Sequence, residues 1–536
     1  MPYPSRGIER PLFNRTYLFV VSLMTNETEI FPFTNSRCSG KIPTFMRDDF
    51  QLPRATNFAC AAYRSVIDGQ YSREPVIILL GGSPVKKSLF ESHIRSLKYP
   101  FVRIIHIPSG TLLMGREEAA DSDLSCEYRD VIEKITELSR RSTILGLIPL
   151  IDSIVPTVDI INNQLNLCSN SSDTSYLRCD KSHMQHSLSL NELNWIPSFR
   201  VSALEEAISI WTQDFARDPV VVKPPRSGGS DGVRICRSEG DLQSYFAAFF
   251  NKFNLEKLRN TEIIMQRYLK GYNTEFIVNT VSFNGSHLVT DIWKSGAKRS
   301  QSDGLFLYDY QELVWSVSTG GPSSLTTSSP ESLCISAVLN YTYSVLDAVG
   351  MKFGASHIEL AAHIDYPRMT VNDIVLIEIN PRVAGEIRTG NDLIPGWSHY
   401  DQIYWLLMSI IEPDRFLATL SNEYKKLLSI PIQSSTPQPH VVALFLRNRK
   451  AVANRISAKI LWRIRTELKS FARFGRGLAW INDIRSLDEL LLHKQRLLAP
   501  RTIDLITSPG VILLVGPSAF HDMQIIRNYE CHYLYM

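Results

Sequence analysis

The stretch from Pro75 to Ile148 limits the fold most. VIILLGG (76–82) is apolar without a break and ends on glycines, the pattern of a strand buried on both faces. A helical stretch, SLFESHIRSL, leads to a second apolar strand, VRIIHI, and a helix around Cys126–Arg140 precedes a third, STILGLI. Strand, helix and strand in that order predict a parallel, helix-covered sheet and an α/β chain.

The chain of 536 residues, 44% of them hydrophobic, is long enough for several packed domains. Its 57 Lys and Arg nearly balance 54 Asp and Glu, which excludes the global polyelectrolyte character of a nucleic-acid binder. The eight cysteines are scattered without a CxxC, as expected for reduced thiols in a cytoplasmic protein. No stretch approaches the ~18–20 apolar residues of a membrane helix, since GLIPLIDSIVP is interrupted by Pro149, Asp152 and Pro156. Arg6, Arg10 and Arg15 precede YLFVVSLM in the manner of a secretory leader, but no small-residue cleavage site follows, and Tyr17–Met24 reads as a strand.

From roughly residue 170 to 430, strands and helices alternate with Gly/Ser-rich loops, of which STGGPSSLTTSSP is long and polar enough to be mobile. VVALFLRN reads as a strand. From Arg447 to Arg476 there are ten Lys and Arg against one Glu, and Ile456, Ile460, Ile464 and Leu468 recur every four residues, predicting an amphipathic helix with a basic outer face. The tail TIDLITSPGVILLVGP reads as strand, turn, strand.

Chemistry concentrates in segments of fixed order. Lys181 lies in LRCDKSHM. Lys223 closes the apolar strand PVVVK, so its ammonium emerges from a buried strand end where an unpaired charge is costly and a phosphate would satisfy it. Ser227, Gly228, Gly229, Ser230 and Gly232 follow; glycines let backbone N–H groups approach phosphate oxygens, and serines add donors. The spacing is that of neither a Walker loop nor a dinucleotide fingerprint, and a tight hairpin would account for the loop taken alone. In LIEINPRVAGE, alternation sets Glu378 and Asn380 on one strand face with Leu376, and Ile377 and Ile379 on the other. A carboxylate beside a carboxamide oxygen suits Mg²⁺, and Glu359 in SHIELAAHID is the natural third ligand.

Together these segments, across about residues 75–515, resemble the ATP-grasp ligases, in particular the carboxylate–amine ligases that include bacterial L-amino acid ligases and carnosine synthase. The resemblance implies an ATP-grasp fold. Residues 1–70 would be an unassigned extension, 71–168 an N-terminal α/β domain, 169–280 a nucleotide-binding lid, and 281–536 a catalytic subdomain that includes the basic helix and closing strands. It implies that Lys181 and Lys223 bind the phosphates of ATP under the Ser227–Gly232 loop, and that Met265–Leu269, including Gln266, Arg267 and Leu269, reads adenine. Glu275 would bind the ribose, and Glu359, Glu378 and Asn380 would hold a pair of Mg²⁺ ions, with Mn²⁺ as the alternative. Arg382 would steady the transferred phosphoryl group, and the lysine after HLVTDIW would be Lys294 or Lys298. Gln266 and Arg267 stand where a carboxylate is usual, which leaves adenine to backbone groups and the Gln amide.

The implied reaction activates a carboxylate as an acyl-phosphate and joins it to an amine, with amino acids as the expected substrates. A homo-oligomer is compatible with this reading; nucleic acid and membrane are not expected partners. An enzyme of the same fold with another acceptor, a carboxylase or thioester-forming ligase, is one alternative. A binding module built on the basic helix is the other, though only Trp462, Phe471 and Phe474 offer aromatic surface there.

Overall fold

The structure, a computed structural model, describes residues 73–532 apart from 83–84, 109–128, 257, 297–298, 301–304, 318–329, 367–369, 386–401, 421–439 and parts of 450–507. The expected strand at Tyr17–Met24, the polar loop before Pro330, Lys298 and the first strand of the tail lie outside the described residues.

The opening forms as its pattern requires. β1 (Glu74–Leu80) pairs in parallel with β2 (Arg103–Ile107) and β3 (Ser142–Pro149) in the order β2-β1-β3. Ile77 and Leu79 pack on one side with Phe90 and Ile94 of α1 (Val85–Ser96). Val76, Ile78 and Leu80 pack on the other with Ile135 of α2 (Arg129–Arg141) and with Val158 and Ile161 of α3 (Val155–Gln164). Two buried faces leave no position for alternation, hence the unbroken apolar run.

After α4 (Lys181–Leu190) comes a four-stranded antiparallel sheet of β4 (Ser198–Val201), β5 (Val220–Lys223), β6 (Arg234–Cys236) and β7 (Ile263–Arg267), in the order β4-β7-β5-β6. Val220, Val222, Ile263 and Met265 face α5 (Leu204–Gln213) and α6 (Glu239–Phe249), burying Trp211, Leu242 and Phe246. Val221, Lys223 and Gln266, on the alternate positions, face a cleft.

The largest sheet has nine strands: β8 (Thr274–Phe283), β9 (Ser286–Ser295), β10 (Tyr310–Ser316), β11 (Gly354–Asp365), β12 (Thr370–Asn380), β13 (Val441–Phe445), β14 (Phe471–Gly475), β15 (Arg485–Ser486) and β16 (Val511–Val515). Their order is β12-β11-β8-β9-β10-β13-β16-β14-β15. Its back face packs on α7 (Pro330–Ala348) and α8 (Gln402–Ile411) in the main core, which also takes in β1 and α1. Asn284 and Gly285 turn β8 into β9 with φ of 52° and 75°, the positive values a two-residue hairpin needs. Among the described residues no helix is long and apolar enough to cross a membrane.

The basic stretch is not one helix. Arg447 lies two residues past the end of β13 and is buried, its guanidinium 3.2 Å from Asp309. The described helix, α9, spans Ala458–Glu467, and Phe471–Gly475 is instead β14, antiparallel to β16. Ile464 and its neighbours Ile460 and Leu468 do pack inward, against α10 (Ala519–His532) and the strands beneath. The four-residue spacing therefore marks a real but short amphipathic helix, and the chain beyond it pairs with β16.

Candidate active site

The cleft lies between the four-stranded sheet and the front of β8, β11 and β12, and encloses about 1110 Å³ including its open mouth. Lys181, Lys223, Ser227, Gly228, Ser230, Gln266, Arg267, Leu269, Glu275, Glu359 and Glu378 all line it. Segments separated by up to two hundred positions in the chain thus converge on one surface.

Glu359 on β11 stands directly across from Glu378 on β12, and His357 across from Asn380. Simple alternation would group Leu376 with Glu378, but the register shifts between Glu359 and Leu360, so that Leu360 pairs with Leu376. This bulge reverses the pattern: Leu376 drops into the main core, and Ile377 turns to the cleft with Glu378. Two distant side chains satisfy the displaced backbone. The Leu376 N–H donates to the Tyr341 hydroxyl at 3.0 Å, and its carbonyl accepts from Gln185 Nε2 at 2.7 Å.

Glu359 and Asn380 are buried and Glu378 is partly exposed, with Asn380 Nδ2 donating to Glu378 Oε1 at 3.2 Å, which leaves the amide oxygen available to a cation. Among the described residues no group of three His, Cys, Asp or Glu side chains could hold a metal unaided. Two carboxylates and one amide oxygen nevertheless form the hard, all-oxygen set that Mg²⁺ takes when most of its remaining ligands are water or phosphate.

Lys181 opens α4, where the Asp180 carboxylate caps the helix by accepting from the N–H groups of Ser182 and His183. Its Nζ lies 3.0 Å from Glu378 Oε2 and donates to the Ser227 carbonyl at 2.6 Å. Burial disfavours both charges, yet each upholds the other. Lys181 is raised above the usual lysine value by the Glu378 carboxylate despite its desolvation. Glu378 is held down to about 2 against its own burial by the ammonium groups of Lys181 and Lys223 and the hydrogen bonds from Lys181 and Asn380. Asp180 also receives Arg200 of β4 at 2.9 Å, and Arg200 bonds Glu262 at the start of β7.

Gly229 and Gly232 adopt φ of 64° and 66°, and a Cβ on Gly232 would come within 3.0 Å of Pro224. Neither lines the cleft, so they shape the loop and leave Ser227, Gly228 and Ser230 to face the opening. Asp231 ties the loop down, accepting from Ser227 Oγ at 2.8 Å and from the Leu255 N–H at 2.9 Å. Gln266 lines the cleft with its amide nitrogen committed to Ser198 Oγ at 2.7 Å, so the hinge presents backbone and the amide oxygen.

Lys294 is not brought to the cleft. It pairs in register with Phe276, one residue past Glu275, and so takes the opposite face of the sheet; its ammonium lies 4.7 Å from the centre of the Tyr366 ring. Arg382 lies just beyond the metal edge, where its Nε and Nη2 meet Asp152 Oδ2 at 2.8 and 2.7 Å. Asp152 and Glu256 were not singled out by sequence reasoning. Both line a small polar cavity with Lys181, Arg226 and Asn380, and burial, reinforced by Asp152, pushes Glu256 up to about 7 against Lys181, Arg226 and Arg382.

No protein-family model matches the chain. In sequence it is 29% identical over 301 residues to dapdiamide A synthase of Enterobacter agglomerans, an alignment covering 56% of this chain and 64% of that protein. The chain therefore spans a little under two thirds of that relative's length. An L-amino acid ligase from Bacillus licheniformis superposes with a TM-score of 0.55 at 14% identity, covering 87% of this chain and 99% of the other. A carboxyaminoimidazole ribonucleotide synthase from Aspergillus clavatus, solved with ATP, superposes with a TM-score of 0.53 at 11% identity over 85% and 98%.

Proposed function

We propose that this chain, which has the ATP-grasp fold, is an ATP-dependent ligase that joins a carboxylate to an amine through an acyl-phosphate, with amino acids as the substrate class. The observation that carries the reading is the convergence of Lys181, Lys223, the Ser227–Ser230 loop, Glu359 and Glu378 on one cleft, with Asn380 and Arg382 continuing from its metal edge. The likeness to the dapdiamide synthase and the L-amino acid ligase supports amide formation over other chemistry on this fold.

Leu269, Ile377 and the backbone of β7 would enclose the adenine, with Glu275 beside the ribose. Lys223 and Lys181 place fixed positive charge against the phosphates, where no reorganisation is needed as charge shifts to the leaving ADP. Glu359, Glu378 and Asn380 would hold Mg²⁺, which would supply neutralisation of the phosphate charge. Arg382, whose Nε and Nη2 are held by Asp152, lies two residues past Asn380 and outside the lining of the cleft; its remaining N–H groups would be the ones to meet the transferring phosphoryl group or the substrate carboxylate.

A screen of ADP release over pairs of amino acids and small carboxylic acids tests the reading. Release that requires both a carboxylate and an amine, with an amide in the products, is the expected result. Release driven by bicarbonate or by a thiol would overturn it in favour of another acceptor. Lys223→Ala should weaken nucleotide binding by at least about tenfold, roughly 1.4 kcal/mol.

A further inference from the structure

Two neighbouring strands of the four-stranded sheet send alternate side chains into the cleft. Val221 and Lys223 come from β5, and Gln266 of β7 stands directly across from Val221. Gln266 therefore lies one pleat, about 7 Å, from Lys223 along the sheet, at the end away from the Ser227–Gly232 loop. Around it the cleft is apolar, with Ile196, Leu269, Ala361 and Ile377 in the lining. Such a slot suits a flat ring, and a buried polar group at its wall reads the edge of that ring.

Gln266 is 2% exposed, and which half of its amide meets the cleft is decided by a neighbour. The Ser198 hydroxyl lies 2.8 Å from the Ile196 carbonyl, which can only accept, so the one hydroxyl proton is committed there. Ser198 Oγ is left as an acceptor, and the Gln266 group 2.7 Å from it must be the Nε2 donor. A turned amide would set two oxygens against each other at that distance. Gln266 Oε1 is thereby left to the cleft, where it can only accept. Tyr272 and Thr274 also line the cleft, but their hydroxyls are engaged with Asp373 and Tyr366.

We propose that Ser198 sets the base selectivity of the nucleotide site. By holding the Gln266 amide in one orientation, it makes the cleft take a purine with an amino group at its six-position and reject one with a carbonyl there. The proposal rests on the nucleotide-binding part of the reading above and is independent of the acceptor chemistry. An exocyclic amine brings the N–H that Oε1 needs. A six-position carbonyl brings a second acceptor, and two oxygens would then face each other away from water with no proton between them. Ser198 touches no ligand; it is a positioning residue that acts through Gln266.

ATP and inosine triphosphate share ribose and triphosphate and differ only at this edge of the base, so the ratio of their affinities reads the amide and cancels what is common to both. In calorimetry with Mg²⁺, wild-type protein should bind ATP at least about thirtyfold more tightly than inosine triphosphate. Ser198→Ala frees the amide to turn and offer Nε2 to the carbonyl, so the ratio should fall to about threefold or less, partly through a gain for inosine triphosphate. Ser198→Thr keeps the hydroxyl and should restore the ratio. Gln266→Met removes the acceptor and should collapse the ratio from the other end of the relay; an ATP preference that survives it would overturn the proposal. Equal weakening of both nucleotides by Ser198→Ala would also overturn it, making Ser198 a structural residue, and so would an unchanged ratio. Wild-type protein that binds both triphosphates alike overturns it without any variant. If the wild type binds neither, the nucleotide reading itself fails, and this proposal with it.

Discussion

Lys181 and Glu378 form a largely buried ion pair, 3.0 Å between Nζ and Oε2, that joins the start of α4 to the end of β12. The folded-state value of Glu378, about 2, lies below that of an exposed glutamate, about 4.3. The pair therefore contributes stability that is complete above about pH 4.3 and is lost as pH falls toward about 2. The difference in thermal unfolding between wild type and Glu378→Gln should be constant at neutral pH and narrow steadily below about pH 4.3. A difference that does not change with pH would mean that the carboxylate is not paired in solution.

Asn380 is the cleaner test of the metal edge. Glu378→Ala leaves the Lys181 ammonium buried without its carboxylate, at a cost of about 3–5 kcal/mol, so lost activity there would be confounded with lost fold. Asn380→Ala removes one hydrogen bond, about 1 kcal/mol. It should abolish Mg²⁺-dependent turnover while shifting the unfolding midpoint only slightly. Near-wild-type turnover at saturating Mg²⁺ would remove Asn380 from the ligand set.

Tyr341 is remote from the cleft along the chain yet decides which side chains line it. Tyr341→Phe leaves the Leu376 N–H buried without an acceptor, which should cost about 1–3 kcal/mol. It should also weaken nucleotide binding, because the bulge sets the direction of Ile377 and Glu378. Calorimetry with nucleotide would detect this, and loss of stability with unchanged affinity would show that the bulge holds without Tyr341.

Arg382 contacts Asp152 through two nitrogens, a fork that lysine cannot reproduce. Arg382→Lys should therefore bind nucleotide about as well as wild type and form amide at least about a hundredfold more slowly. Full activity would end the catalytic role. A fall in unfolding temperature that accounts for the lost rate would make the Asp152 bridge purely structural.

What the sequence could reveal depended on how local each cause was. The unbroken run at Val76–Leu80 and the valines before Lys223 are local patterns, and both became the strands they predict. Glu378 and Asn380 were legible as neighbours on a strand, but the face of Leu376 was not. Its bulge is held by Gln185 and Tyr341, which no spacing connects to it. Lys294 follows an apolar strand much as Lys223 does, and only the register with Phe276 shows that it faces away. Glu256 belongs to a loop without periodicity; a Glu between Leu255 and Lys257 reads as surface until the fold presses it toward Asp152 and Lys181.

The Arg200 link has a mechanical consequence. Its guanidinium grips Asp180, the cap of α4, from the outer strand of the four-stranded sheet. The sheet that carries Lys223 is thus hooked to the residue immediately before Lys181, while Glu378 belongs to the nine-stranded sheet. Lys181, by contrast, stands on a helix whose Met184 and Leu188 pack in the main core. The two cations therefore belong to different bodies of the fold, and separating them would have to break the Arg200–Asp180 pair.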